Sequence, residues 1–275
     1  MIHRGETISG VHAITLDGPI DIEADLTVAC DGRHSTLRQR AGLEVQEMGA
    51  PMDVLWFRAG RGPYEAENVF ARVEPGKMMV TFDRGEYWQC AYVIAKGQYE
   101  AVKERGLQAL LADIIDMAPV LTSGIADVRS WDDIKLLTVA INHLKRWTRP
   151  GLLCIGDAAH AMSPVGGVGV NLAVQDAVAT ANLLAEKIKA GCPSDDELDA
   201  IRRRREFPVK MTQRLQVVVQ DQIISGALRP GNHPTRVPLI LRLISAMPWL
   251  QGFPARIVAL GVRPEHVHSP VSNAA

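Results

Sequence analysis

The chain has 275 residues, 47% apolar and 22% charged, which suits one or two packed domains with an ordinary core. Its 30 basic and 31 acidic side chains leave a net charge of −1. That balance removes any global electrostatic reason to bind nucleic acid or an anionic membrane. No run approaches 18 uncharged apolar residues, and the opening MIHRGETISG lacks the apolar core of a secretory signal. Cys30, Cys90, Cys154 and Cys192 lie far apart with no C-x-x-C pair. They read as reduced, mostly buried thiols of a cytoplasmic protein, and not as a disulfide frame or zinc site. No other metal-ligand pattern appears.

In chain order, Ile20, Ile22 and Ala24 alternate with acids, which predicts a half-exposed strand. Leu26–Cys30 is near-continuously apolar, as a strand covered on both faces would be. Asp31-Gly32 stops it, and Ser35 can cap a short helix through Leu37 to Arg40. From Asp53 to Ile94 the runs DVLWFRA, ENVFARV, KMMVTF and YWQCAYVI predict antiparallel hairpins, with turns at Glu74–Lys77 and Asp83–Glu86. Trp56, Tyr87, Trp88 and Tyr92 suit the core of that sheet better than a substrate cavity. Leu107, Leu110, Leu111, Ile114 and Ile115 recur at helical spacing, and Pro119 ends the helix.

Gly151–Ile155 is a second fully apolar run and leads straight into Gly156-Asp157. A long helix follows, its apolar stripe drawn through Leu172, Ala173, Ala177, Ala181, Leu184 and Ile188. Lys187 and Lys189 suit its last turn, and Gly191 its stop. After Pro193 the pattern is helical, with breaks expected at Pro208, Pro230, Pro238, Pro248 and Pro254. Arg202–Arg205, flanked by acids, reads as a solvated helix face. The segment from Leu239 to Met247, with Trp249, Leu250 and Phe253, reads as a core or subunit-contact helix, with membrane docking as the lesser reading. His160 reads as a packed imidazole, since no G-x-S-x-G elbow accompanies it.

The strongest chemical signal is the stretch from Gly156 to Asn171, where a buried strand ends in Gly-Asp and a Pro- and Gly-rich loop opens a helix. Ligands of open α/β sheets bind outside the carboxyl ends of strands. There a carboxylate can accept bonds from sugar hydroxyls, and free N–H groups at a helix start favour negative charge, by about 0.3–2 kcal/mol. This stretch resembles the second flavin-binding motif of the class A FAD-dependent aromatic monooxygenases, the family of para-hydroxybenzoate hydroxylase and the ubiquinone-ring hydroxylases. Asp25–Arg38 resembles the same family's Asp-Gly motif. The two stand in the family's order, 126 positions apart from Asp31 to Asp157, with the hairpin-rich segment between them.

The resemblance implies an α/β fold: an FAD/NAD(P)-binding, glutathione-reductase-like sheet with an inserted antiparallel substrate-domain sheet and a helical C-terminus. Its divisions would be residues 1–48 and 136–192 for the FAD domain, 49–135 for the substrate domain and 193–275 for the helical region. The implied activity is hydroxylation of an aromatic or similar electron-rich small molecule, with FAD as cofactor, NAD(P)H as co-substrate and oxygen as oxidant. Asp157 would bond ribityl or ribose hydroxyls, next to Gly156. Pro164 and Gly166, with Gly167, would line the ring face. Gly169, Val170 and Asn171 would offer backbone groups to the pyrimidine edge. Asp31, Gly32, Arg33 and Arg38 would lie near the pyrophosphate. No catalytic acid or base is assigned. Val168 replaces the Gln often found between the last two glycines.

The larger departure is that no G-x-G-x-x-G occurs in the chain: Glu65 spoils Gly60-Arg61-Gly62, and Leu172 spoils Gly167-Val168-Gly169. The sheet is therefore expected to lack its first βαβ unit. A start assigned too far downstream is the preferred explanation. A non-catalytic remnant, or one half of a split flavoprotein completed by a partner chain, is the alternative, and a homodimer stays open.

Overall fold

The computed structural model describes residues 1–62, 70–74, 76–220, 256 and 260–268. The chain divides into two compact units. One comprises the described residues of Met1–Gly49, Ala140–Gln216 and Leu243–Ala275; the other, those of Ala50–Val139 and Val217–Arg242.

The first unit opens with three antiparallel strands, β1 (Ile2–Arg4), β2 (Thr7–Thr15) and β3 (Gly18–Glu23). The alternating Ile20 and Ile22 do lie in a strand, and both are exposed. The partners β1 and β2 went unread because their sequence alternates only weakly. β4 (Thr27–Ala29) follows, then the helix α1 (Thr36–Arg40) and β5 (Val45–Glu47). β4 is not covered on both faces as its apolar run suggested, because Val28 is exposed. Ser35 caps α1 as expected, its Oγ accepting the Arg38 N–H at 3.0 Å.

The second unit holds a sheet of β6 (Met52–Gly60), β7 (Phe70–Glu74), β8 (Lys77–Asp83), β9 (Tyr87–Ala95) and β10 (Lys135–Leu137). All neighbours are antiparallel, in the order β10-β6-β9-β8-β7. The antiparallel reading holds, with two corrections. β6 pairs with β9 along nine residues and not with β7, so only β7-β8-β9 is a meander. The short β10 closes the edge and was not expected. Trp88 and Tyr92 are core residues, and Trp56 stacks on Phe82 at 6.1 Å. The helix α2 (Tyr99–Glu104) precedes α3 (Leu107–Met117), whose Leu110, Leu111, Ile114 and Met117 are buried against the sheet. Pro119 stands just past its end. The expected turn residue Pro75 and the start of the ENVFARV run lie outside the described residues.

The chain then returns to the first unit. β11 (Asn142–Leu144) pairs with β5, and β12 (Thr148–Arg149) with β13 (Leu152–Cys154). β13 is buried throughout and runs parallel to β4, with Cys154 opposite Ala29. Two long helices complete the unit, α4 (Gly169–Ala190) and α5 (Asp195–Val219). The buried residues of α4 are Leu172, Gln175, Asp176, Ala179 and Leu184, whereas Ala177, Ala181 and Ile188 are exposed. The buried face thus shares Leu172 and Leu184 with the predicted stripe but is rotated from it to take in the polar Gln175 and Asp176. By length and composition alone, Val165–Ala190 is apolar enough to cross a membrane; one third of its 18-residue apolar window is buried within the fold. α5 runs straight through Pro208, so the expected break there does not occur. The apolar segment Leu239–Met247 with Trp249, Leu250 and Phe253, and the expected breaks at Pro230, Pro238, Pro248 and Pro254, lie outside the described residues. Cys90 and Cys154 are buried and Cys30 and Cys192 exposed, so half of the thiols, not most, are inside.

Candidate functional site

The parallel pairing of β4 with β13 decides where the two motifs stand. Hydrogen bonds from Thr27 N–H to the Gly151 carbonyl (2.9 Å) and from Ile155 N–H to the Ala29 carbonyl (3.1 Å) fix the register. Both strands therefore end at the same level, and Asp31-Gly32 and Gly156-Asp157 emerge side by side. The two turns also touch. Arg33 Nη2 lies 3.6 Å from Asp157 Oδ2. Arg38, buried, donates from Nη1 to the Ala158 carbonyl at 3.0 Å and from Nη2 to the Arg33 carbonyl at 2.7 Å. One guanidinium thus ties the first motif's backbone to the second's. Acids separated by 126 positions in sequence share one sheet edge.

Asp31 faces the start of α1, where its carboxylate accepts the Leu37 N–H at 3.2 Å. Burial alone would raise its pKa, but hydrogen bonds from Ser35 and from backbone N–H groups of that first turn outweigh it and hold the carboxyl below its ordinary range. Gly156 has φ of +58°, and a side chain there would press on Ala173 of α4, its Cβ 3.1 Å from that methyl group. Only glycine permits both the turn and the close packing of strand on helix.

Beyond the turn, the loop exposes rather than fills its surface. Gly166 and Gly167 are exposed with φ of +80° and +65°, and a Cβ on Gly167 would meet nothing within 4 Å. Pro164 is half-buried beside them, and Gly169, Val170 and Asn171 form the first turn of α4. The residue before α4, Val168, offers no side-chain cap, and this 22-residue helix starts at the loop.

Underneath the loop lies a buried ionic centre that sequence reasoning missed. Asp176 of α4 accepts the Gly156 N–H at 3.0 Å and lies 2.5 Å from His160 Nε2, both through Oδ2. Its Oδ1 accepts from Arg205 Nε of α5 at 2.9 Å. All three side chains are fully or almost fully buried. Burial pushes the Asp176 pKa up, but His160 and Arg205 more than offset it, and the carboxyl stays below its usual range. An ionised carboxylate only accepts, so the His160 proton sits on Nε2. His160 also packs on Trp147 with ring centroids 5.0 Å apart, in keeping with its reading as a packed imidazole. Arg205 corrects the solvated-face reading of the arginine run. Four consecutive residues go more than once round a helix, so one must face inward, and there it meets Asp176. The acidic flanks hid that, and the available signal was Asp176, the one charged residue of α4 before Glu186.

Among the described residues no group of three His, Cys, Asp or Glu side chains stands close enough to hold a metal ion.

Comparison with known families agrees with this geometry. The model of a family described as an FAD binding domain matches residues 1–214. The chain belongs to that FAD binding domain family. The flavoprotein membership and FAD-type α/β fold expected from the two motifs therefore hold. Over 245 residues the chain is 30% identical to a 6-methylpretetramide 4-monooxygenase of Streptomyces rimosus, covering 88% of this chain and 58% of that protein. Among solved structures, a Diels-Alderase of pyrroindomycin biosynthesis matches with a TM-score of 0.68 at 22% identity, over 92% of this chain and 53% of the other. An anhydrotetracycline hydroxylase from Streptomyces rimosus matches with a TM-score of 0.66 at 22% identity, over 95% of this chain and 51% of the other. This family member spans about half the length of the relatives it matches.

Proposed function

We propose that this chain works as an FAD-dependent monooxygenase that draws electrons from NAD(P)H and hydroxylates an aromatic or similarly electron-rich small molecule with oxygen. One observation carries the reading: the Asp31-Gly32 and Gly156-Asp157 turns stand together at the ends of paired parallel strands, with Arg33 3.6 Å from Asp157. The exposed Gly166 and Gly167 and the start of α4 at this loop support a flat, partly anionic ligand there.

FAD, when bound, supplies the electron transfer and oxygen activation that no amino-acid side chain can. The chain's own residues bind and orient it. Asp157 accepts hydrogen bonds from hydroxyls of the sugar chain. Asp31, Gly32 and Arg33 serve the pyrophosphate side, and Arg38 holds the two turns together. Pro164, Gly166 and Gly167 flank the ring, while the N–H groups of Gly169, Val170 and Asn171 favour negative charge at its edge. Gly156 sets the turn that presents Asp157. No side chain is assigned as acid or base. The proposed setting is the cytoplasm, and the proposed assembly either a homodimer or a complex with a chain that supplies the missing N-terminal unit.

The test is to purify the full chain and record its visible spectrum, then add FAD, NADPH or NADH and a panel of electron-rich phenols. The expected result is a yellow protein, or one that takes up FAD stoichiometrically, with nucleotide oxidation stimulated by a phenol. A soluble, folded, colourless chain that takes up no added FAD contradicts the reading.

A further inference from the structure

Two glutamines of α5, Gln213 and Gln216, are 0% and 4% exposed. A buried carboxamide costs free energy unless its polar atoms find partners. Gln216 spends its whole amide, and Gln213 part of its Nε2, on the backbone of one short segment. Gln216 Oε1 accepts the Ser163 N–H at 3.2 Å, and its Nε2 donates to the carbonyls of Ser163 at 2.9 Å and Val165 at 2.8 Å. Gln213 Nε2 donates to the carbonyls of Ala161 at 3.1 Å and Asn142 at 2.8 Å. Residues 161–164 belong to no helix or strand, so their backbone groups need partners from elsewhere.

The same helix face continues toward the Gly-Asp turn. Eleven positions, close to three full turns, separate Arg205 from Gln216, so both point the same way. Arg205 binds Asp176, and Asp176 binds the Gly156 N–H. From Gly156 to Val165, therefore, the loop is held at three places by one polar face of α5, directly or through Asp176.

We infer that this face positions the cofactor loop, with Gln213 and Gln216 as positioning residues. They fix the 161–165 backbone in the shape that presents Pro164 and the glycine turn to the flavin. The inference rests on the FAD reading above. Neither glutamine touches the cofactor in this account; each acts through the backbone it holds. Gln216 suits the task because a carboxamide can pair with both the N–H and the C=O of one residue, as a neighbouring strand does. A carboxylate cannot, since it would face the Ser163 and Val165 carbonyls with no hydrogen to donate.

The experiment uses the full chain with Gln216→Met and Gln216→Glu, plus Gln213→Met in case a Gln216 variant fails to fold. FAD affinity is read by flavin fluorescence from pH 5 to pH 8, well below each variant's unfolding midpoint. Amide hydrogen exchange over residues 156–170 is read without flavin. Gln216→Met should weaken FAD binding by about tenfold or more, the scale expected when buried backbone groups lose their partner. It should also speed exchange in this segment. Gln216→Glu should bind worse at pH 8 than at pH 5, because protonation returns a donor to the site. Gln216→Met should follow the wild-type pH profile. Equal FAD affinity in folded wild type and variants, or a Gln216→Glu profile parallel to wild type, would overturn the positioning role alone. A wild-type chain that binds no FAD would instead bring down the functional reading and this inference with it.

Discussion

The two units keep their interiors in different ways. In the second unit the sheet and α3 bury Leu55, Phe57, Trp88, Ile114 and Met117, and the described core is almost wholly apolar. Its main polar member is Asp53, whose carboxylate binds Lys96 at 2.8 Å and the N–H groups of Gly97 and Val139, each at 3.0 Å. The first unit buries Arg38, His160, Gln175, Asp176, Arg205, Gln213 and Gln216. An apolar core is enough to close a sheet against a helix. Holding an irregular loop open takes directional partners, because its backbone groups cannot satisfy one another. Polar burial therefore marks the region proposed to carry the site.

The sharpest break in that comparison is at Asp176. Replacement by Leu leaves the buried Arg205 only Glu265, at 3.6 Å, as an acidic partner among the described residues, and should cost about 3–5 kcal/mol in chemical denaturation. The sign of its pH dependence follows from the depressed pKa. The Asp176 contribution is complete above the unfolded carboxylate's value of about 3.9 and fades as pH falls through the lower folded value. The wild type should thus lose stability on acidification where the Leu variant loses less. Ile114→Ala in the apolar unit should cost about 2–5 kcal/mol through cavity formation, nearly unchanged as pH falls through the acid range in which the Asp176 contribution fades. A pH-dependent cost there would undo the contrast.

Asp53→Ala tests the apolar unit's exception. It leaves two backbone N–H groups and Lys96 without their acceptor, for an expected loss of about 1–3 kcal/mol by thermal melting. Smallest of all should be Glu23→Ala. Its bridge to Arg4 is solvent-exposed, and the change should stay below about 1 kcal/mol.

What the sequence made legible follows the same division. β4 and β13 could be read because near-continuous apolar runs ending at Asp-Gly and Gly-Asp leave few alternatives. Ser35 could be read as a cap because a hydroxyl at that place has one common use. The motif acids could be paired only through the family resemblance, since nothing local says that β4 and β13 are neighbours. The inward face of α4 was misread because Gln175 and Asp176 look like solvent-facing residues until Arg205 and His160 are placed beside them. Pro208 looked like a stop, but losing one backbone bond does not end a helix fastened by Val209, Gln213 and Gln216. Buried polar groups are legible only in pairs, and their partners lie 16 to 120 residues away.

Flavin affinity before and after removal of one carboxylate probes the shared sheet edge most directly. Titrating FAD into the wild-type chain and into Asp157→Ala should show saturable binding that weakens by about 1–3 kcal/mol in the variant, roughly fivefold to 150-fold. Identical affinities in two equally folded proteins would remove Asp157 from the site and contradict the convergence of the two turns on one ligand.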